Sequence, residues 1–192
     1  MYHIKNDKRS IHSSKILYDS LAKLMREKDF NAIKVKDLVE TAHVGRVTFY
    51  RHFDKIKDIL QMKCDQVFED LERYLKDYRQ KYVNESQLTL LKPILRFFYL
   101  ESELIELLIL ANLTGMLRKS FQKISEQYKP KLSSFFGLEK DYLDYLVTMR
   151  IGGITSVLLQ WIATGKKQAP DELADKLGEA SNDKVPISLY FP

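Results

Sequence analysis

Cysteine is almost absent from this 192-residue chain: Cys64 stands alone. A single thiol rules out an intramolecular disulfide and the paired Cys or Cys/His spacings of a structural zinc site. That usage fits a reducing cytoplasm, and the polar opening MYHIKNDKRSIHSSK lacks the apolar run of a secretion signal. Without secretion the Asn84-Glu85-Ser86 sequon carries no meaning. Glycine and proline are scarce, at seven and five. Short strands need many more turn residues, so a chain this rich in Leu, Lys, Glu and Ile is expected to be all-α. The most apolar long segment, Tyr142 to Thr164, is interrupted by Asp144 and Arg150, which argues against a membrane span.

The groups that carry catalysis are missing as well. All four histidines, His3, His12, His43 and His52, lie in the first third, away from any carboxylate cluster downstream. No serine sits in a nucleophile-elbow context and no glycine-rich phosphate loop occurs. The chain is therefore expected to be no enzyme, with no catalytic residue, metal or cofactor. A lone cysteine on a long helix can be a redox sensor, but is more often an inert small hydrophobe.

What is present is an uneven charge. Up to Asp58, thirteen Lys and Arg residues face eight Asp and Glu, while the remainder holds eighteen of each sign. The whole formal excess of +5 thus sits in the first third, the asymmetry of a segment that meets a polyanion joined to one that does not. A basic face kept soluble, with no partner, is the bland reading of the same counts.

The spacing of apolar residues divides the first third into three short helices. Leu17, Leu21, Leu24 and Met25 form one face from Ser13 onward, broken at Asp29-Phe30-Asn31. Val35, Leu38, Val39 and Ala42 then follow the i, i+3, i+4, i+7 pattern. After His43-Val44-Gly45, Arg46 to His52 predicts a third helix with Phe49 and Phe53 inward. Three such helices, with a three-residue turn before the last, describe a helix-turn-helix unit. With Val44, Phe49 and Phe53 in the core, Arg46, Val47, Thr48, Tyr50, Arg51 and His52 are expected to face outward. A major groove admits a helix and distinguishes all four base pairs. Arg46 suits guanine O6 and N7, Val47 suits a thymine methyl, and Thr48 and Tyr50 suit phosphate oxygens; Lys36 is a further candidate. Asp54 is a candidate N-cap for a long helix carrying Ile59, Leu60, Val67, Phe68 and Leu71. Further helices are expected at about 88–99, 103–111, 113–128, 141–164 and 170–180, followed by an extended tail, KVPISLYFP. The opening residues 1–12 are expected to be a disordered basic arm, with insertion into a minor groove as the alternative.

The segment VKDLVETAHVGRVTFYRHFDKIKDIL, from Val35 to Leu60, resembles the DNA-binding segment of the TetR/AcrR family of bacterial transcriptional regulators, through Val44, Thr48, Tyr50 and Phe53 in fixed register. GGITSVLLQWIATGKKQAPDEL, from Gly152 to Leu173, is more loosely similar to a Firmicute-type subgroup that includes regulators of dihydroxyacetone kinase operons. The resemblance implies a helix-turn-helix DNA-binding domain over 1–58 and a helical effector-binding and dimerisation domain over 59–192. It also implies a homodimer on a near-palindromic operator, a small-molecule effector that swings the fourth helix, and a repressor function. A regulator controlled through a protein partner is the alternative. A phosphate contact at the start of the fourth helix falls to Lys55 or Lys57, because the position usually held by Lys is Ile56. His43 stands where the family has a turn glycine, and Gly45 where it has a Ser or Thr cap.

Phe98, Met116, Phe121, Tyr145, Met149 and Trp161 are candidates to line a ligand pocket, and at helical spacing they serve equally as plain core. Gly152 and Gly153 inside a helix cost about 1 kcal/mol each relative to alanine. Close approach of another backbone would repay that cost, so a dimer interface of Gly152, Gly153, Ser156, Leu159, Leu173 and Leu177 is expected, with a simple kink as the alternative.

Overall fold

Asp7 starts the first helix. Its carboxylate accepts from the Ser10 amide and the Ser10 hydroxyl, each at 2.8 Å, satisfying a donor that a helix N-terminus leaves orphaned. Helix α1 accordingly spans Lys8–Glu27 and begins ahead of Ser13, because the cap rather than the apolar period sets its start. The computed structural model describes residues 1–81 and 90–181. The Asn84-Glu85-Ser86 sequon, the start of the helix expected at about 88–99 and the tail expected at 184–192 lie outside the described residues.

After a 3₁₀ turn at Phe30–Ala32, helices α2 (Val35–Thr41) and α3 (Arg46–His52) form where the spacing predicts them. The long helix α4 (Lys57–Lys81) follows. Beyond it come α5 (Leu91–Leu100), α6 (Glu103–Leu110), α7 (Gly115–Glu126), α8 (Lys129–Phe136), α9 (Lys140–Ala163) and α10 (Pro170–Ser181). The spacing did not anticipate α8, which opens as a separate helix with Pro130 in its first turn, where a missing N–H costs nothing.

One apolar core runs through these elements, from Leu17, Leu38 and Phe49 through Ile59 and Leu60 to Phe98, Leu117 and Leu158. Helix α4 packs on α1 and also on α5, α6 and α7, so a single rigid element crosses the boundary expected at 58/59. Helix α10 lies on α5, where Arg96 donates twice to the Asp171 carboxylate at 2.6 Å and Lys92 pairs with Asp175 at 2.6 Å. Helix α9 is long and apolar enough to cross a membrane by composition. Here it buries Leu143, Val147, Ile151 and Leu158 against α6, α7 and α8, and Asp144 pairs with Lys129 at 2.7 Å.

The opening residues correct an expectation. The first residues form a strap rather than a disordered arm: Tyr2 bridges Phe53 in antiparallel fashion, the His3 amide donates to the His52 carbonyl at 2.8 Å, and the Asp54 amide donates to the Met1 carbonyl at 3.1 Å. The driving force is local, since the end of α3 leaves carbonyls without helical partners and the half-buried Tyr2 and Ile4 pack on the core. Asp54 is not the cap of α4 that its position suggested. Its carboxylate pairs with the Met1 ammonium at 3.1 Å and with His3 at 3.2 Å, while Asp58 reaches back to accept from the Lys55 amide at 2.8 Å.

Candidate nucleic-acid interface

The turn between α2 and α3 sets the direction of the outward-facing helix. Helix α2 ends in a Schellman motif: Val44 N–H donates to the Val39 carbonyl at 3.0 Å, His43 N–H donates to the Glu40 carbonyl at 3.2 Å, and His43 takes a left-handed φ of 51°. Histidine is among the non-glycine residues that tolerate this region, so the missing turn glycine alters the strain and leaves the path intact. Gly45, extended at φ −76°, ψ 152°, caps α3 through its backbone alone: its carbonyl accepts from the Thr48 amide at 2.9 Å.

Helix α3 is anchored by two aromatic rings. Phe49 and Phe53 are both 0% exposed, with ring centroids 6.0 Å apart, and Val44 packs against the same core. On the outer side, Val47 is 72% and Tyr50 58% exposed. Arg46 and Arg51 are exposed as well, and Thr48 is half-buried between them. Exposed apolar and aromatic side chains are thus flanked by guanidinium groups on the outer side of α3.

His52 breaks the expected division and is a correction. It is only 3% exposed, because a residue three after Phe49 and one before Phe53 falls on the buried side of a helix with 3.6 residues per turn. Among the described residues its Nδ1 has no hydrogen-bond partner, and burial, with help from Arg51, holds its pKa below the usual histidine value. His52 is thus no part of the exposed face.

Around α3, Lys36 is exposed with Glu40 at 3.9 Å. Lys55 and Lys57 are exposed on either side of Ile56, which packs against the core. Among the described residues no carboxylate lies within ion-pair distance of Arg46, Arg51, Lys55 or Lys57. Arg9, expected in a loose arm, sits in the first turn of α1 beside this face; the Asp7 cap was the signal in the sequence that could have placed it.

The six candidate pocket residues do not come together. Phe98 and Phe121 close on Phe68, with centroids 6.1 and 4.8 Å away. Trp161 is 2% exposed, and its indole N–H donates to the Gln168 carbonyl at 3.0 Å. Met116 is half-buried at the edge of the core. Tyr145 and Met149, by contrast, are 77% and 67% exposed. Being four apart on α9, they share its outer face, whereas Leu143, Val147 and Ile151 take the inner one. Of the expected interface, Gly153 and Ser156 lie on the same exposed face as Tyr145 and Met149, while Gly152, Leu159, Leu173 and Leu177 are half-buried. Cys64 is buried, its sulfur 3.2 Å from the Ser120 hydroxyl. Burial pushes the thiol up to about 11, which makes it inert.

Residues 17–61 match the profile of bacterial regulatory proteins of the tetR family. A stretch of 73 residues is 32% identical to the HTH-type dhaKLM operon transcriptional activator DhaS of Lactococcus lactis subsp. lactis (strain IL1403), covering 38% of this chain and 39% of that relative. The match therefore spans well under half the relative's length. In fold, the chain is similar to Lin0861 from Listeria innocua (TM-score 0.68, 20% identity, 94% of each chain). It is also similar to a solved dihydroxyacetone kinase operon activator DhaS (TM-score 0.55, 15% identity, 88% of this chain and 94% of that one). At such identities the likeness is one of fold alone. The segment 17–61 thus matches the tetR family of bacterial regulatory proteins in sequence, and the helices of the chain match these solved structures in fold.

Proposed function

We propose that the chain is a cytoplasmic transcriptional regulator that binds a near-palindromic DNA operator as a homodimer and releases it in response to a small-molecule effector, in the first instance as a repressor. The observation that carries this reading is the outer face of α3, where Arg46, Val47, Tyr50 and Arg51 stand exposed on a helix pinned by Phe49 and Phe53. A guanidinium can fork onto guanine in the major groove, and a valine can meet a thymine methyl. The Thr48 and Tyr50 hydroxyls, with Lys36, Lys55 and Lys57, then fix the register on phosphates.

Two recognition helices must be held about one helical turn of DNA apart, roughly 34 Å, which calls for a second copy. The outer face of α9 supports that role, because Tyr142, Tyr145 and Met149 are at least 65% exposed on a long apolar helix. Among the described residues a Cβ on Gly152 or Gly153 meets nothing within 4 Å, so neither glycine serves a close approach to them within one copy. Gly152, Gly153 and Ser156 would lie at the centre of the interface, with Leu159, Leu173 and Leu177 at its edge.

A second reading keeps the DNA contact and changes the control. The packed Phe68, Phe98 and Phe121 cluster favours regulation by a protein partner docking on the C-terminal helices, and the 32% identical relative carries the name of an activator. Selection of bound fragments from the source genome, followed by footprinting, tests the shared core of both readings. A protected inverted repeat is expected, and an affinity indifferent to sequence overturns them. Thermal shift with candidate metabolites separates the two, since a ligand that binds only the folded state raises the melting temperature.

A further inference from the structure

Helix α6 meets the N-terminal helices at α1, and Glu103, its first residue, reaches across. One carboxylate oxygen, Oε2, accepts from the Tyr18 hydroxyl at 3.3 Å, and the other, Oε1, accepts from the Arg26 guanidinium at 2.5 Å. Tyr18 is 5% exposed, and the Lys63 ammonium of α4 lies 5.2 Å from its ring centroid. Tyr18 and Arg26 stand eight residues apart on α1, roughly 12 Å along its axis. A tie at one point would let α1 pivot. Two donors from points two turns apart, converging on one carboxylate, fix its angle as well as its distance.

The turn that presents Glu103 is itself held. Lys166, between α9 and α10, takes a left-handed φ of 52°, and its amide donates to the Trp161 carbonyl at 2.8 Å. Its ammonium donates to the Tyr99 carbonyl at 3.1 Å and to the Ser102 hydroxyl at 2.8 Å, and lies 5.3 Å from the Tyr99 ring centroid. Ser102, 7% exposed, donates in turn to Glu106 at 2.7 Å. A left-handed backbone is strained for a residue with a Cβ, and such strain persists where the surrounding contacts over-determine it. Hydrogen bonds and one peptide bond thus run without a break from the end of α9, through the α5–α6 turn, to α1.

We propose that Glu103 is a positioning residue for DNA binding: it clasps α1 through Tyr18 and Arg26, so that the end of α9, acting through Lys166, sets the angle of the N-terminal helices against the C-terminal ones. The last step rests on the DNA-binding reading above, since α3 packs on α1 and the angle of α1 therefore aims α3. Helix α4 carries the N-terminal helices, whereas Glu103 fixes how they are turned. The side chains of Arg26 and Glu103 are 64% and 50% exposed, and a pair so exposed is worth little in stability. Breaking it changes an angle and leaves the fold.

The test reads that angle first without DNA. Spin labels on Lys23→Cys in α1 and Glu172→Cys in α10, both exposed positions, report the distance between the two parts in the full chain, diluted with unlabelled copies; the buried Cys64 takes no label. One narrow distance is expected, and a broadened or displaced one in Glu103→Ala with the fold intact by circular dichroism. Arg26→Glu combined with Glu103→Arg should restore the narrow distance, which a merely structural loss at either position would not do. Lys166→Met should broaden the distance alone and add nothing to Glu103→Ala. An unchanged distance in Glu103→Ala, no recovery in the swapped pair, or a Lys166→Met effect that adds in full overturns the proposal. On a selected operator, Glu103→Ala should bind about fivefold more weakly and lose discrimination against half-sites moved apart by one base pair. A distance that responds while affinity and spacing preference stay unchanged also overturns it, because Glu103 then positions nothing that DNA reads. If no duplex binds, the DNA reading falls while the distances still decide whether Glu103 sets the angle.

Discussion

The Tyr2 hydroxyl donates to the Asp65 carboxylate at 2.7 Å, tying the strap at the end of α3 to the body of α4. Asp65 also accepts from Gln61 at 3.2 Å, so it is held ready for the bond. Tyr2→Phe should cost about 1 kcal/mol, the net worth of one such hydrogen bond, and Tyr2→Ala about 2–3 kcal/mol because the half-buried ring goes too. Chemical denaturation measures both. Two variants of equal stability would show that the ring, and not the bond to α4, holds the strap.

His43 should be improvable. A left-handed residue with a side chain carries about 1–2 kcal/mol of strain, and glycine removes it while giving back about 0.4–1 kcal/mol to the unfolded chain. The net expectation for His43→Gly is a stabilisation of about 0.5–1 kcal/mol, seen as a raised melting temperature. A lowered one would mean that the imidazole makes a contact that outweighs its strain.

On DNA, Arg46→Ala and Lys55→Ala should fail differently. The first should cost about 1–3 kcal/mol and relax base preference at one position per half-site. The second should weaken binding to every sequence alike and lower the salt slope by about one. Binding of both variants to a set of single-base operator variants checks this, and identical profiles would remove Arg46 from base reading.

Stability should depend on pH through His52. Its folded pKa lies below that of the unfolded chain, with burial the main cause and Arg51 the next. The unfolded state therefore takes up the proton first, and stability is complete above about pH 6.5. It is lost as pH falls through that value toward the folded pKa. His52→Gln should flatten this part of the curve in denaturation experiments run from pH 7.5 down to 5.5 in phosphate-free buffer. A wild-type curve that is flat across the window would show the ring is not held neutral.

Gly153→Ala should act with two signs. Among the described residues the new methyl meets nothing within 4 Å, so the helix gains about 1 kcal/mol and the dilute protein melts higher. If a second copy packs on that face, the methyl also pushes the helices apart and the dimer dissociates at higher concentration. Sedimentation equilibrium reads the second effect; unchanged self-association would move the interface off this stripe.

The first third was largely legible in the sequence because short amphipathic helices announce themselves by period, and Val35–Thr41 and Arg46–His52 form where Val35, Leu38, Phe49 and Phe53 predict. His52 escaped because, in a helix of seven residues, a polar ring one position from an outward arginine was assigned by its chemistry, whereas its angle around the axis put it inside. The strap escaped for another reason: Tyr2 pairs with residues more than fifty positions away, and no local pattern encodes a bridge of that span. In the C-terminal helices the elements were legible and their orientation was not. Helix α9 is apolar nearly all round, so Tyr145 and Met149 could be assigned to a cavity or to an outer face with equal ease; only packing against α6, α7 and α8 decides.

The ion pairs have an effect that reaches beyond their own sites. Toward the C-terminus, Lys76, Lys92, Arg96 and Lys129 are each tied to a carboxylate, whereas Arg46, Arg51, Lys55 and Lys57 project their charge into solvent. The molecule is thus an electric dipole whose positive pole coincides with the outer face of α3. Near a polyanion such a dipole turns before it touches, so encounters begin α3 first, and their rate should fall steeply as added salt shortens the reach of the field.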